Sequence, residues 1–432
     1  LDRKSLPDIE EQQKTLYILP ETELQQKVLN IWQQVLGNPD IGIRHNFFEA
    51  GGDSIKAMQI VGMMKKEGMM AELRRLFEYP TVEKFVNYVY VGELESQEAV
   101  TGEVPLLPIQ KMFFDNNYED YNQFNQSVLL KLKKEIFLSH LERVLQRITR
   151  HHDALRMIYM RENGSWKQEI RDVDAVSYGL LEASYDGSAD EKAWLDQKID
   201  QLQKGMDLEN GIVMNLGLLH TKDEQYLFVA VHHLVMDGVS FRILLRDMIE
   251  LLESEDKVQD SMLIPKTVSY QRVAKEMLDK VGQKHPQLVE WEQEDVAGLC
   301  TIAKEPIAIK IGDRKSSIFT LEKEMKQGLE AYVRAMRTSN LADALMAICM
   351  NAVGAELGLE RFAVEVEHNG RNFADNSYDL SNTIGWFTAI YPLIFDAGIA
   401  DIEKAVQSIA EQQKRNQNLA GEFMLEKVYG EH

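Results

Sequence analysis

Phe47-Phe48-Glu49-Ala50-Gly51-Gly52-Asp53-Ser54-Ile55 delivers one serine to the start of a helix, in a segment with little else that reacts. Ala57, Ile60, Val61 and Met64 follow at i, i+3, i+4 and i+7, which predicts a helix with a single apolar stripe. Gly51 and Gly52 leave the backbone free to turn tightly, and Asp53 places negative charge where a helix N-terminus favours it. Ser54 is therefore expected as an exposed hydroxyl on a rigid platform. An ordinary helix cap is the bland alternative, because Ser and Asp are the usual caps.

Working outward, Thr22 with Gln25 predicts a capping box, and Leu24, Val28, Ile31, Trp32 and Val35 form one helical face that ends at Gly37. A loop from Pro39 to Ala50 precedes the Ser54 helix, and residues 81–90 read as a last helix. The result is a small all-α bundle of four helices. Residues 92–104 are polar, acidic and weakly periodic, the profile of a flexible linker. Residues 21–90, with Asn46-Phe47-Phe48-Glu49 ahead of the Gly-Gly-Asp-Ser core, resemble the peptidyl carrier (thiolation) domains of nonribosomal peptide synthetases. The resemblance implies that Ser54 covalently carries 4'-phosphopantetheine, attached by a phosphopantetheinyl transferase. An aspartate before the serine, where many carriers have histidine, is the variant typically followed by an epimerization domain.

The 432 residues are 44% hydrophobic, enough for two or three globular units with full cores. Net charge is −21, from 48 basic and 69 acidic residues spread along the chain, which excludes nucleic acid and anionic membranes as expected partners. No apolar run is long enough for a transmembrane helix and no signal peptide opens the chain, so a cytoplasmic protein is expected. Cys300 and Cys349 lie in unrelated settings and imply neither a disulfide framework nor a metal cluster. Leu1-Asp2-Arg3-Lys4-Ser5-Leu6-Pro7 resembles the end of an adenylation domain, which marks an upstream partner and a chain cut from a longer assembly-line enzyme.

From Pro105 the texture is mixed. Residues 136–150 and 243–252 read as helices; 128–132, 212–219, 226–232, 361–367 and 388–395 read as strands. Interleaving of this kind predicts α/β layers, and the texture occurs twice, before and after about Lys280. The strand at 226–232 runs into His232-His233-Leu234-Val235-Met236-Asp237-Gly238. Paired histidines at a strand end, followed by a turn with Asp and Gly, can set an imidazole at a cavity mouth, where its pKa suits proton transfer. They could equally satisfy core hydrogen bonds. A metal site is disfavoured, because adjacent strand residues point to opposite sides and no third ligand is nearby.

His-His-x-x-x-Asp-Gly resembles the signature of the condensation-domain superfamily, whose condensation, cyclization and epimerization members share a two-lobed, chloramphenicol-acetyltransferase-like fold. The resemblance implies two α/β lobes in a V around an active-site tunnel, with His233 catalytic and His232 and Gly238 structural beside it. It also implies that Asp237 pairs with an arginine, for which Arg156 is the candidate. A second pair, in His151-His152-Asp153-Ala154-Leu155-Arg156, matches a stretch that ends a helix and reads as architectural.

Pro105-Leu106-Leu107-Pro108-Ile109-Gln110, Asn125-Gln126-Ser127-Val128, and Val239-Ser240-Phe241-Arg242 with Phe241 in place of the usual tryptophan are similar to epimerization domains. So is Asn382-Thr383-Ile384-Gly385-Trp386-Phe387-Thr388. In Phe362-Ala363-Val364-Glu365-Val366-Glu367, alternation puts the glutamates on one face and the valines on the other, which by itself describes a solvated strand face. Glu367-His368-Asn369-Gly370-Arg371 resembles the family's Glu-Gly-His-Gly-Arg motif, in which the glutamate is an acid/base. Here Glu367 is kept, while His368 and Asn369 replace Gly and His. Tyr429-Gly430 falls where a Gly-x-Gly-Tyr-Gly tyrosine would act, although the residues before it do not match. Inversion at an α-carbon needs one group to remove a proton and another to return it, with donors to hold the enolate-like charge.

The expected organisation is an adenylation tail and linker at 1–16, a carrier at 17–91, a linker at 92–104 and epimerization lobes at 105–280 and 281–432. The second lobe ends at His432, roughly a hundred residues short of the usual domain size. The resemblance implies L-to-D epimerization of an aminoacyl or peptidyl thioester tethered to the carrier, without metal, pyridoxal phosphate or ATP, and a downstream condensation domain as partner. The alternatives are a condensation domain forming peptide bonds, or a catalytically impaired carrier-docking module.

Overall fold

The computed structural model describes residues 18–52, 54–92, 95–188, 190–254, 263–283, 317–336, 340–371, 379–396, 401–416 and 419–430. The expected adenylation tail at 1–16, Asp53, Cys300 and the chain end at His432 lie outside them. Compact contacts divide the chain into two units, Leu1–Val104 with Asp120–Val273 and Tyr378–Gly385, and Pro105–Glu119 with Ala274–Ser377 and Trp386–His432. Among the described residues no helix is long and apolar enough to cross a membrane.

The first unit opens with α1 (Glu23–Leu36), α2 (Ser54–Lys66), α3 (Leu73–Glu78) and α4 (Val82–Phe85). Thr22 caps α1 by accepting the Gln25 N–H at 3.1 Å, while Gln25 Oε1 accepts from Glu21 at 2.7 Å, one residue off the ideal box. Gly37 ends α1 at φ +66°, a left-handed cap that its lack of a Cβ permits. The predicted stripe is the core: Ala57, Ile60, Val61 and Met64 are at most 2% exposed. Trp32 meets Phe47 edge-on at 5.3 Å. The long last helix expected at 81–90 is not formed. After α4 the chain tightens into a single 3-10 turn, Val86–Tyr88, and then β2 (Tyr90–Val91) pairs antiparallel with β1 (Met69–Met70). This core draws its residues from Ile18 to Val89 alone, so the bundle is self-sufficient.

Within the flexible linker expected at 92–104, residues 97–104 are anchored. Gln97 exchanges two hydrogen bonds with the Lys266 backbone, accepting at 2.8 Å and donating at 3.3 Å. Val100 donates to Asp153 and accepts from Arg156 at 2.9 Å. Lys266 Nζ reaches the Glu98 carbonyl at 2.9 Å. The segment ends in β3 (Gly102–Val104), which joins β6 (Ser165–Ile170) and β5 (Met157–Glu162) in an antiparallel sheet. Its composition is that of a linker because its anchors are backbone groups and distant side chains.

A mixed sheet follows in the order β4 (Asn125–Lys131), β9 (Gln225–His232), β8 (Met214–His220), β7 (Tyr178–Ser184), with only the β7–β8 pair parallel. The face bearing Leu219, Phe228 and Ala230 packs with Leu202 and Met206 around α7 (Glu191–Gln203). Gly217 lets α7 approach: a Cβ there would lie 2.4 Å from Leu202 Cδ1. The helices α6 (Leu138–His151) and α8 (Gly238–Glu253) pack on each other. With both faces covered, β9 reads as a continuous apolar run.

The second unit holds α5 (Pro108–Asp115), the helices Lys323–Met336, Leu341–Leu357, Ile402–Asn416 and Ala420–Tyr429, and the antiparallel pair β10 (Arg361–His368) and β11 (Ala389–Asp396). Phe362, Leu393 and Phe395 build its core with Ala347, Met350 and Ile409. Pro108 sits at the first position of α5, where its missing N–H costs nothing. The predicted strand and helix positions in both halves are matched to within a few residues.

Candidate functional site

Ser54 is the first residue of α2. The turn before it is tight: Gly51 takes φ +87°, and a Cβ on Gly52 would lie 2.5 Å from the Phe47 ring. Lys56 ties the turn back by donating to the Gly51 carbonyl at 2.9 Å. A helix N-terminus beginning at a hydroxyl residue fits a phosphodiester-linked group, because its unpaired N–H groups favour an anion. The exposure expected of the Ser54 hydroxyl and the helix-capping role of Asp53 lie outside what the structure describes.

In the first unit, the histidine pair straddles the end of β9, with His233 opening the 3-10 turn that follows. His232 is fully buried. Its Nε2 donates to the Tyr121 carbonyl at 2.8 Å while Nδ1 accepts the Leu234 N–H at 3.2 Å. Both nitrogens are thus committed, and burial pushes its pKa down to about 4, so the ring stays neutral. His233 is half-buried just past the strand end. Its N–H donates to the Phe124 carbonyl at 2.7 Å, its ring stacks on Phe124 at 4.9 Å, and Nε2 meets the Gln126 amide at 2.9 Å. Gln126 and Phe124 were not singled out from the sequence. The register that pairs Asn125 with His232 in β4 and β9 is what brings them to His233.

Asp237 caps α8, accepting the Ser240 N–H at 2.7 Å, and Gly238 is the helix's exposed first residue. The expected Asp237–Arg156 pair is corrected. Arg156 closes the 3-10 turn Asp153–Arg156, and the fold directs its fully buried guanidinium to Asp153 at 2.8 Å and to the carbonyls of Thr149, Arg150, Val100 and Arg171. Its place is in the anchor of the 95–104 segment.

In the second unit, Glu365 and Glu367 are both exposed while Val364 and Val366 pack on the core, as alternation predicts. Glu365 pairs with Lys427. The altered loop after Glu367 is internally braced: His368 Nδ1 accepts the Gly370 N–H at 3.2 Å, and Asn369 Oδ1 accepts the Arg371 N–H at 3.0 Å. Gly370 is obligatory at φ +64°, because a Cβ would lie 1.6 Å from the Phe387 carbonyl oxygen. The Arg371 guanidinium lies 4.7 Å over the Phe387 ring. Tyr429 donates to the Leu106 carbonyl at 2.7 Å, and burial followed by the nearby Asp115 pushes its phenol up to about 12. Protonated at neutral pH, it is poorly matched to act as a base.

Among the described residues, the donor atoms of His151, His152 and Asp247 lie within 4.8 Å of one another. These atoms already have partners. His152 Nε2 meets Asp247 at 2.8 Å, His151 Nε2 meets the Ile264 carbonyl at 3.1 Å, and Arg246 donates to Asp247 at 2.7 Å. Burial alone would raise the Asp247 carboxyl, but His152 and Arg246 outweigh it and hold it below the usual carboxylate range. The cation of Arg246 opposes a second cation here, and the trio is architectural.

Known proteins resemble both parts of the chain. The condensation domain model matches residues 100–425, and the phosphopantetheine attachment site model matches residues 26–89. Tyrocidine synthase 2 of Brevibacillus parabrevis is 34% identical over 96% of this chain and 12% of its own length. Surfactin synthase subunit 1 of Bacillus subtilis (strain 168) is 33% identical over 93% of this chain, which spans 11% of that relative. Among solved structures, the epimerization domain from the third module of tyrocidine synthetase B aligns with a TM-score of 0.68 and 29% identity, over 77% of this chain and 78% of that one. The condensation domain from Monacolin K polyketide synthase aligns with a TM-score of 0.60 at 15% identity, over 78% of this chain and 77% of that one, and so shares the fold. These matches bear out a carrier bundle followed by a condensation-superfamily α/β fold, and a covalent 4'-phosphopantetheine as the cofactor.

Proposed function

The chain belongs to the condensation-domain family, and we propose that within it this is the carrier and epimerization pair of a nonribosomal peptide synthetase, inverting the α-carbon of an aminoacyl or peptidyl thioester from L to D. The observation that carries the reading is the 29% identity, at a TM-score of 0.68, to an epimerization domain, against 13–17% for the condensation domains and other relatives that share the fold. We assign the carrier to 17–91, the connecting segment to 92–104, the lobes to 105–280 and 281–432, and the attachment point to Ser54. The partners are an upstream adenylation domain, a phosphopantetheinyl transferase and a downstream condensation domain, in the cytoplasm.

When bound, the pantetheine arm supplies a thioester, which acidifies the neighbouring α-proton. The protein's part is to move that proton. His233 is one acid/base group: its ring plane is fixed by Phe124, and the Gln126 amide holds Nε2. Glu367 is the other, on the exposed face of β10 at the start of a loop braced by His368 and Asn369. His232, Asp237 and Gly238 shape the turn that carries His233. To Tyr429, the third residue the sequence offered as catalytic, we assign a structural role, holding the chain at Leu106.

The family name equally fits peptide-bond formation, in which His233 would assist amine attack on the thioester. The test loads the carrier with an L-aminoacyl-pantetheine in deuterated water, followed by thioester cleavage and chiral analysis. Deuterium at the α-carbon with mixed L and D product is expected, and is lost in His233→Ala and in Glu367→Gln. Unchanged L product, with an amide formed when an acceptor carrier is supplied, would replace epimerization by condensation. Carrier binding without either product would leave a docking module.

A further inference from the structure

We propose that Ile264, Asp379 and Ser381 form a seat for the Ser54 helix, and that Gly62 and Lys65 are the carrier residues shaped to fit it. The inference rests on the carrier reading above. Gly62 lies on α2 facing Ile264, and a Cβ there would sit 2.3 Å from Ile264 Cδ1. A side chain at this position would force the Ile264 side chain to move. One turn on, the Lys65 side chain is 4% exposed, unusual for a lysine near a helix end. Its ammonium pairs with Asp379 and reaches Ser381 Oγ at 2.9 Å. Partial burial would raise the Asp379 carboxyl, but Lys65 outweighs it and holds it below the usual carboxylate range.

The seat is held in place independently of the carrier. Asp379 Oδ1 accepts the Ser381 N–H at 3.0 Å, fixing the turn that presents both groups. Asn382 donates to the Ile264 carbonyl at 3.0 Å, and Thr383 meets Thr267 at 2.7 Å. Gly385 and Ser240 exchange two buried hydrogen bonds, at 3.0 and 2.9 Å, one turn into α8. The stretch from Asn382 to Gly385 is the first half of the Asn-Thr-Ile-Gly-Trp-Phe-Thr motif, so the motif supports the docking surface on one side. The fit lies in the C-terminal half of α2. Ser54 is eight residues before Gly62, which leaves the attachment end roughly 12 Å along the helix from the contact.

The test uses the full chain with Cys300 and Cys349 replaced by Ser and spin labels at Lys27→Cys and Lys167→Cys, one on the bundle and one on β6. A single narrow distance is expected in the parent. Lys65→Glu and Gly62→Leu are expected to broaden it, and the swap Lys65→Glu with Asp379→Lys to narrow it again. In parallel, α-proton exchange is measured on the carrier-borne substrate and on a free N-acetylcysteamine thioester of the same amino acid. Lys65→Glu should slow the tethered reaction about tenfold, leave the free one unchanged, and be rescued by the swap. Distances unaltered in all three variants would overturn the seat, as would equal slowing of both substrates, which marks a structural defect. If the parent exchanges neither substrate, the epimerase reading fails, and the distances still decide the seat.

Discussion

At 151–152 two histidines end a helix, and at 232–233 two histidines end a strand. The helical pair turns both rings into the fold, where they meet at 4.7 Å and are taken up by Asp247 and a backbone carbonyl. The strand pair is divided. His232 is sealed inside with both nitrogens committed, and His233 stays half-buried beside Gln126. The same dipeptide therefore yields two rings taken up by the fold in one place, and one sealed plus one half-buried ring in the other. What decides is the element at which each pair falls: one closes a helix, whereas the other spans the end of a strand and the 3-10 turn after it.

The sharpest way to break that comparison is to delete one ring from each pair. His233→Ala should lower α-proton exchange at least about a hundredfold, the lower end for a general acid/base, with little change in melting temperature. His152→Ala should leave a buried carboxylate short of a partner and cost about 3 kcal/mol in chemical denaturation. The comparison fails if His152→Ala abolishes exchange in a protein that remains folded.

Acid extends the test to both pairs. Burial pushes His151 down to about 3 and His232 down to about 4, against an ordinary value of 6.5. Both are neutral in the folded protein, and the unfolded chain binds protons first. Their contribution is therefore complete above about pH 6.5 and is lost as pH falls from there toward 4, by up to about 3 kcal/mol for His232. Urea titrations at pH 7, 6 and 5 should show this slope, and His232→Asn should flatten it. A slope that His232→Asn does not alter would mean the ring is not held neutral.

Two smaller contrasts sharpen the same point on other elements. Glu365 and Glu367 share one exposed face of β10. Glu367→Gln should lower exchange about a hundredfold, whereas Glu365→Gln loses an exposed ion pair worth less than about 1 kcal/mol and leaves exchange intact. Equal effects on exchange would remove Glu367 from the assignment. Tyr429→Phe should cost about 1 kcal/mol for its hydrogen bond and change exchange less than about threefold.

Much of this was legible in the chain. The stripe from Ala57 to Met64, the alternation of Glu365 and Glu367, and the strand running into His232 are short-range patterns, and each is met. Long-range choices were not legible. Arg156 could have answered either Asp153 or Asp237, and the turn geometry that selects Asp153 has no separate signature. The polar residues at 95–104 read as a linker because their partners, Asp153, Arg156 and Lys266, lie 53 to 169 positions away. Gln126 was quoted within a motif, but its place at His233 needed the register of β4 against β9.

That anchored segment also sets a length. With it closed, the bundle is joined to its first pinned residue, Glu95, by residues 92–94, an extended span of about 10 Å. Released through Val104, the same connection reaches about 45 Å. A bundle lifted from its seat can therefore only pivot while the segment stays held at Glu95, Gln97, Val100 and β3 together. The longer reach opens only when the Arg156 guanidinium, Asp153, Lys266 and the β3–β6 pairing all release their hold.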